Sequence, residues 1–426
     1  LIKPYLFRGW AGLAGAVLLC APALAQAPPR LPLGEAVRLA LANRQELQAA
    51  SAAAEAAQGA TLQAGLRPNP ILSIQSENWR AWGDPSFRPL AQVDFFVFIT
   101  QTVETNGKRR KRTDLAEFQG REAELARAVL SWRIEQQVAD AWWAALSAER
   151  RLELLEESRQ TVEELVRYHE TRLELGAIAE IELIKVQVEE QKLAQAVAEA
   201  GNRLEQARLA LAAAMGQPRL DAGAALEGEL APPAAGELNV DWFERALAER
   251  PDQALQRARV QSFHAAVALA EAQRKPDLTP YFGYKRNNDF NTVVGGVNIP
   301  LAVNDRNQGR IAETRAMVRE EEANLRALTA RTEAEVEAAL AAARNARARL
   351  RQLESGLVER ARESFRIARA AYQEQGTDLL FLLDAQRAQN DAEQLLAQAL
   401  ADYRLSVARL QSVSGGLGLA AQELRP

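Results

Sequence analysis

The chain carries one structural plan twice, and that repetition constrains its fold more than any other feature. "LQAASAAAEAAQGATLQAGLRPNP" from Leu47 aligns without a gap with "LQRARVQSFHAAVALAEAQRKPDL" from Leu255. In each copy an Ala-rich helical pattern ends at a basic residue and a proline, Arg67-Pro68 and Lys275-Pro276. Two short strand-like runs follow. In the first copy they are "ILSIQSENW" and "AQVDFFVFITQTV", around "RAWGDPSFRP"; in the second they are "TPYFGYKRN" and "TVVGGVNIPL", around "NDF". Next come "NGKRRKR" and "NDRNQGR", which set Asn106 opposite Asn304 and Arg112 opposite Arg310. A long helical pattern then runs to Gly176 or Gly376, and a shorter helix closes each copy at "AAAMGQP" and "ARLQSVSGG".

The segments 107–175 and 307–375 are equal in length, and each reaches roughly 100 Å at 1.5 Å per residue. Helices of ordinary globular domains average about 11–12 residues, so these are not parts of one. Their pattern is that of a coiled coil. Phe118, Leu125, Trp132, Ala139 and Leu146 recur every seven residues, with Leu115, Val129 and Trp143 on the neighbouring seam. Ala-rich turns such as "ALAAAR" let neighbouring helices approach closely.

The strand runs follow another logic. Each is about 9–11 residues, the span of a tilted transmembrane strand, with aromatics near the ends: Trp79, Trp82, Phe95, Phe96, Tyr281 and Tyr284. Four strands cannot close a membrane barrel, since the smallest have about eight. An open edge in lipid leaves backbone groups unsatisfied. A barrel built from these strands is therefore shared between chains, and three copies supply twelve. The expected division is a leader over 1–25, a first repeat over 26–216, a connecting segment over 217–240, a second repeat over 241–414 and a tail over 415–426. The first repeat holds strands near 70–79 and 91–103 and helices over 107–175 and 179–215. The second holds strands near 279–287 and 292–301 and helices over 307–375 and 379–414.

The leader is "LIKPYLFRGWAGLAGAVLLCAPALAQA": two basic residues, an apolar run from Trp10 to Ala21, then Ala23-Leu24-Ala25. That is the pattern of a secretory signal peptide cleaved after Ala25 or Ala27, too short to span a bilayer as an anchor. Cys20 follows the bulky Leu19, which argues against lipidation. Cleavage removes the only cysteine, leaving His169, His264, Met215 and Met317 widely separated. That set offers no disulfide and no soft-ligand metal site. No HExxH, P-loop, dinucleotide fingerprint or GxSxG motif occurs, so no cofactor and no catalytic centre are expected. His169 and His264 lie in helical stretches, as surface or core residues. Lys+Arg 52 against Asp+Glu 56 gives no basic excess, so "KRRKR" is not a nucleic-acid patch.

Taken in order, these features resemble the TolC family of outer-membrane efflux factors over the whole mature chain. The duplicated helix–strand–strand–long-helix–helix plan carries the likeness, with "RLELGAIAEIELIKVQ", "YQEQGTDLLFLLDAQRAQ", "ERPD" and "LLDAQR". "QTVETNGKRRKR" is most similar to the CzcC-like heavy-metal cation efflux branch. The resemblance implies a homotrimer: a twelve-stranded β-barrel in the outer membrane continued by a long α-helical barrel into the periplasm. It implies a passive duct, not an enzyme. The expected partners are a periplasmic adaptor, an inner-membrane pump of the resistance–nodulation–division class and outer-membrane lipid.

The resemblance also assigns sites. Gly176 and Gly376 mark the helical turns at the adaptor-docking tip. Asp384 in "FLLDAQR" matches the family's inward-facing aspartate of a periplasmic gate. The second aspartate that many members place three residues earlier is Phe381 here, so Asp378 is the alternative and Tyr372 a steric partner. Lys108, Arg109, Arg110, Lys111 and Arg112 sit where the strand leaves the bilayer. Cations at a helix N-terminus oppose its dipole by about 0.3–1 kcal/mol each, and anionic lipid headgroups offset that. Three other readings stand beside this one. A duct for drugs or organic solutes fits the same family. A periplasmic adaptor needs a lipoyl-like domain split around a single hairpin, which the duplication does not fit. A coiled-coil scaffold needs no membrane part.

Overall fold

The computed structural model describes residues 30–79, 86, 88, 92–220, 224–228, 241–287, 290–374 and 376–416. The leader over 1–25, Trp82, most of the 217–240 segment and most of the tail lie outside the described residues.

β1 (Arg30–Pro32), α1 (Leu33–Asn43) and α2 (Gln45–Gly65) lead into the strands β2 (Ile71–Glu77) and β3 (Asp94–Thr100). α3 (Lys108–Glu174) is one unbroken helix of 67 residues, and α4 (Glu180–Ala214) returns beside it. After the short strand β4 (Ala225–Glu227), the second repeat runs through α5 (Trp242–Glu249), α6 (Pro251–Gln273), β5 (Thr279–Asn287) and β6 (Phe290–Asn298). Its long helix holds a bulge: α7 (Gln308–Gln352) passes through a π-helical turn, Leu353–Leu357, into α8 (Val358–Gln373), and α9 (Leu379–Val413) closes the repeat. The helix expected over 307–375 thus runs from Gln308 to Gln373 with a π-helical turn inside it. Its segment "LESGL" contains Gly356, around which a side chain would meet nothing within 4 Å.

Both long helices begin from left-handed backbone, which Gly and Asn adopt at least cost. Asn106 and Gly107 have φ of 55° and 70°, and Asn307 has 59°. With helices starting at Lys108 and Gln308, Gly107 stands opposite Asn307 and Arg110 opposite Arg310. The sequence pairing of Asn106 with Asn304 and of Arg112 with Arg310 is therefore displaced by two residues. A gap in the turn is invisible where both copies are polar and basic.

The long helices pack side by side in one layer. Near the strands the neighbours run α2–α3–α6–α7, and farther out α4–α3–α9–α8, with α9 also against α7. α9 ends where α6 begins: Trp132 Nε1 donates to Ser412 O at 3.0 Å, and the Arg250 guanidinium lies 5.1 Å over the Trp132 ring. Trp132, Ala139, Leu146 and Val129 are buried as the heptads require, while Phe118 and Leu125 are only half-buried. Between Ser131 and Leu146 α3 buries more than a seam because a second layer covers it. β1 pairs in parallel with β4, and Leu31, Val37 and Ala40 pack on Ile134, Val138 and Trp142. Trp142 Nε1 donates to Leu31 O at 3.1 Å, which gives its buried N–H a partner.

Candidate functional site

The sheet order is β2-β3-β5-β6, all antiparallel, and its register decides which side chains share a face. Leu72, Ile74, Phe95, Val97, Ile99, Phe282, Tyr284, Val293 and Val297 fall on one side, an apolar surface that gives way to Ser76, Arg286 and Asn291 in the row of Phe95. Leu72 and Ile74 are exposed to 60% and 63%, and Phe282 and Val293 to 66% and 69%. The opposite side carries Ser73, Gln75, Glu77, Asp94, Thr100, Thr279, Lys285, Thr292 and Asn298, with Ile71, Phe96, Phe98, Tyr281, Phe290 and Val294 among them. The rings of Phe96, Phe98 and Tyr281 lie along the wall. Phe98 and Tyr281 meet edge to face at 6.0 Å, and Lys285 Nζ sits 4.8 Å over the Phe96 ring. Gly296 leaves the space Tyr281 fills: a Cβ there would stand 2.5 Å from the tyrosine hydroxyl. Among the described residues no helix packs across either face. A water-exposed sheet normally covers its apolar face. One apolar and one polar face, both uncovered, suit lipid on one side and water on the other. No helix among the described residues is long and apolar enough to cross a membrane.

At the junction of sheet and helices the basic run divides. Lys108 is buried, with Nζ 2.7 Å from Asp277 Oδ1, and Thr105 N donates to the same oxygen at 2.9 Å. Burial works to raise the Asp277 pKa, but Lys108 and the Thr105 N–H outweigh it and hold it below the usual carboxylate value. Arg112 pairs with Glu104 and donates to Ala64 O at 2.9 Å and Leu66 O at 3.1 Å. It thereby satisfies carbonyls at the C-terminus of α2, where a cation is favoured. Two of the five cations are thus internal struts. Arg109, Arg110 and Lys111 have no ion-pair partner among the described residues and face outward to differing degrees.

At the far end of α3, some 100 Å away at 1.5 Å per residue, the two turns differ. Gly176 has φ +66°, with Ala177 N donating to Arg172 O at 2.9 Å, a left-handed helix stop. Gly376 is not left-handed; its N–H donates to Ala371 O at 2.8 Å. Of the two glycines only Gly176 occupies a backbone conformation that favours glycine. Asp378 is the N-cap of α9, its Oδ1 accepting from Phe381 N at 2.9 Å. Asp384 is exposed, shares a helix face with Phe381, and stands 3.3 Å from Arg387 Nη1. Arg387 forks onto Glu189 of α4 at 3.0 and 2.6 Å, and that hydrogen-bonded pairing keeps the Glu189 pKa below its usual value.

Tyr372, named above as a steric partner of the gate, has close partners of its own. It is buried, its hydroxyl 2.8 Å from His169 Nε2, and the two rings stack at 5.7 Å. Burial in this contact raises the tyrosine pKa. His169–Tyr372 and Glu189–Arg387 tie the first helical hairpin to the second. The partners lie 203 and 198 residues apart, so nothing local in the sequence marks them.

Known proteins agree with this architecture. The cobalt-zinc-cadmium resistance protein CzcC of Cupriavidus metallidurans is 30% identical over 295 residues, a match spanning 66% of this chain and 65% of that protein's length. A solved membrane protein from Pseudomonas aeruginosa superposes with a TM-score of 0.72 at 19% identity, covering 90% of both chains. A solved CusC superposes at 0.71 and 17% identity, covering 90% of this chain and 92% of its own. At those identities the likeness concerns the fold. The outer membrane efflux protein family matches residues 36–217 and 242–416, one range per repeat, and the chain belongs to that family.

Proposed function

We propose that three copies of this chain form a passive duct through the outer membrane and into the periplasm. One observation carries the reading: the sheet and the helical layer joined to it end unpaired on the same sides. β2 and β6 are the open sheet edges, and α2 and α7, the helices attached to them, are the open ends of the helical array. Pairing β6 of one copy with β2 of the next closes twelve strands with the apolar face toward lipid and removes every edge. The tip at Gly176 and Gly376 docks a periplasmic adaptor, and an inner-membrane pump of the resistance–nodulation–division class supplies the energy. The chain performs no covalent chemistry. Arg109, Arg110 and Lys111, the cations left free by the junction, face the inner-leaflet headgroups.

The cargo proposed is heavy-metal cations, supported by the resistance named for the relative and by Asp384. Three Asp384 carboxylates around one axis form a ring that favours cations. Organic solutes are the second reading, favoured by Phe96, Phe98 and Tyr281 on the polar face of the sheet. In a planar bilayer the protein should show a small cation-selective conductance, blocked by di- or trivalent cations from the helical side. Asp384→Asn should lose that block. An unchanged block removes Asp384 from the gate, anion selectivity removes the cation cargo, and no conductance at all removes the duct.

A further inference from the structure

A cleft of about 740 Å³ lies between the end of α6 and the start of α7, outside every site considered above. Three guanidiniums, Arg274, Arg306 and Arg315, line it against a single carboxylate, Glu271. Arg315 Nη2 already holds Glu271 Oε1 at 2.7 Å. The side chains of Arg274 and Arg306 make no hydrogen bond or ion pair among the described residues, so the cleft keeps two unspent planar forks, the geometry that grips phosphate oxygens in pairs.

The apolar wall of the cleft is Val303 and Ile311. Val303 ends a row that starts on the apolar face of β6. Val293, Val297, Ile299, Leu301 and Val303 recur at alternate positions, all at least half-exposed, with Gly295 the one gap. β6 stops at Asn298, and the exposed apolar series runs on through non-strand backbone to Val303, whose N–H donates to Leu301 O at 2.9 Å. The cleft opens where that series stops. Val103 and Leu278, joined by an isolated bridge and both exposed, mark the same end of the sheet next to β3 and β5. Positive charge alone would suit any anion. Two free guanidiniums at the foot of a lipid-facing apolar row suit an anion that carries its own acyl chains.

We propose that this cleft binds the phosphate headgroup of an anionic phospholipid from the inner leaflet. Arg274 and Arg306 hold the phosphate, and Val303 and Ile311 contact the glycerol and the first acyl carbons. The site rests on the membrane placement proposed above. It is distinct from Arg109, Arg110 and Lys111, which lie on the first turn of α3.

Native mass spectrometry of the full-length protein, released from detergent with equimolar phosphatidylglycerol and phosphatidylcholine, tests it. Wild type should retain phosphatidylglycerol over phosphatidylcholine by about tenfold, at up to one molecule per chain. Arg274→Gln with Arg306→Gln should abolish that preference, and Arg306→Gln alone, in an exposed loop, should reduce it severalfold. Arg344→Gln, an exposed cation far along α7, should leave it unchanged. Equal retention of the two lipids by wild type, or a preference that survives the double substitution, overturns the site. Displacement of the bound lipid by millimolar inorganic phosphate overturns the lipid as its occupant. Failure of wild type to insert into phosphatidylcholine vesicles is a separate result, and it overturns the membrane placement instead.

Discussion

Tyr372 and His169 fix each other's hydrogens. His169 Nδ1 lies 2.7 Å from the carbonyl of Leu165, which can only accept, so Nδ1 donates to it. Nε2 then accepts from the Tyr372 hydroxyl at 2.8 Å. Tyr372→Phe keeps the stacked ring but leaves a fully buried imidazole nitrogen without a donor, at a cost of about 1–3 kcal/mol. The expected outcome is a lower unfolding temperature with unchanged cation selectivity, read by thermal melt and bilayer conductance. A change in selectivity without loss of stability would return Tyr372 to the pore. Asp378 is decided by a similar contrast. Asn caps a helix as well as Asp does, whereas Ala costs about 1 kcal/mol. Asp378→Asn should therefore leave melting and conductance alone and Asp378→Ala should lower melting only. A conductance change in the Asn variant would show that the charge matters and the cap does not. The cap was not legible from residue types: two aspartates six residues apart read alike until the N–H of Phe381 is seen on one of them.

At the level of elements, length and period were enough for the helices and strands, because a long heptad pattern has few alternatives. Three features escaped. β1 and β4 are three residues each and exist only by pairing with one another across 195 positions, so no periodicity announces them. The π-helical turn over Leu353–Leu357 leaves the seam pattern nearly intact, and only Gly356 hints at it. The tip turns, both marked by glycine, differ in backbone: Gly176 sits at φ +66° and Gly376 does not. A β-branched residue is strained at a left-handed position, by about 1–2 kcal/mol. At Gly376 an added Cβ instead stands 3.4 Å from Ala371 O, a tight but ordinary contact. Gly176→Val should thus weaken adaptor cross-linking clearly more than Gly376→Val, in trimers that remain membrane-embedded. Equal losses would mean that the left-handed turn does not set the shape of the tip.

For the whole molecule, the strand count argued for a shared barrel before any coordinates did, since four strands cannot close. What the sequence left open was which side of each strand meets lipid, because alternation is blurred by Phe96, Phe98 and Tyr281 on the polar face. The register resolves it, and adjacent residues of one strand test it. Ile74 pairs with Val97 on the apolar side, and Gln75 with Phe96 on the polar side. A lysine facing lipid near the midplane of a barrel costs about 2–4 kcal/mol, while a lysine facing the lumen is tolerated. Three-fold symmetry repeats that cost in every protomer, so a trimer carrying Ile74→Lys bears roughly 6–12 kcal/mol. Ile74→Lys should fail to insert into vesicles and lose its heat-resistant oligomer on a gel. Gln75→Lys, one residue along the same strand, should insert at the wild-type yield and shift conductance away from cations, since its three ammonium groups line the water-filled side. If both variants insert, or neither does, the two faces do not stand in different solvents, and the barrel that closes β6 onto β2 is wrong.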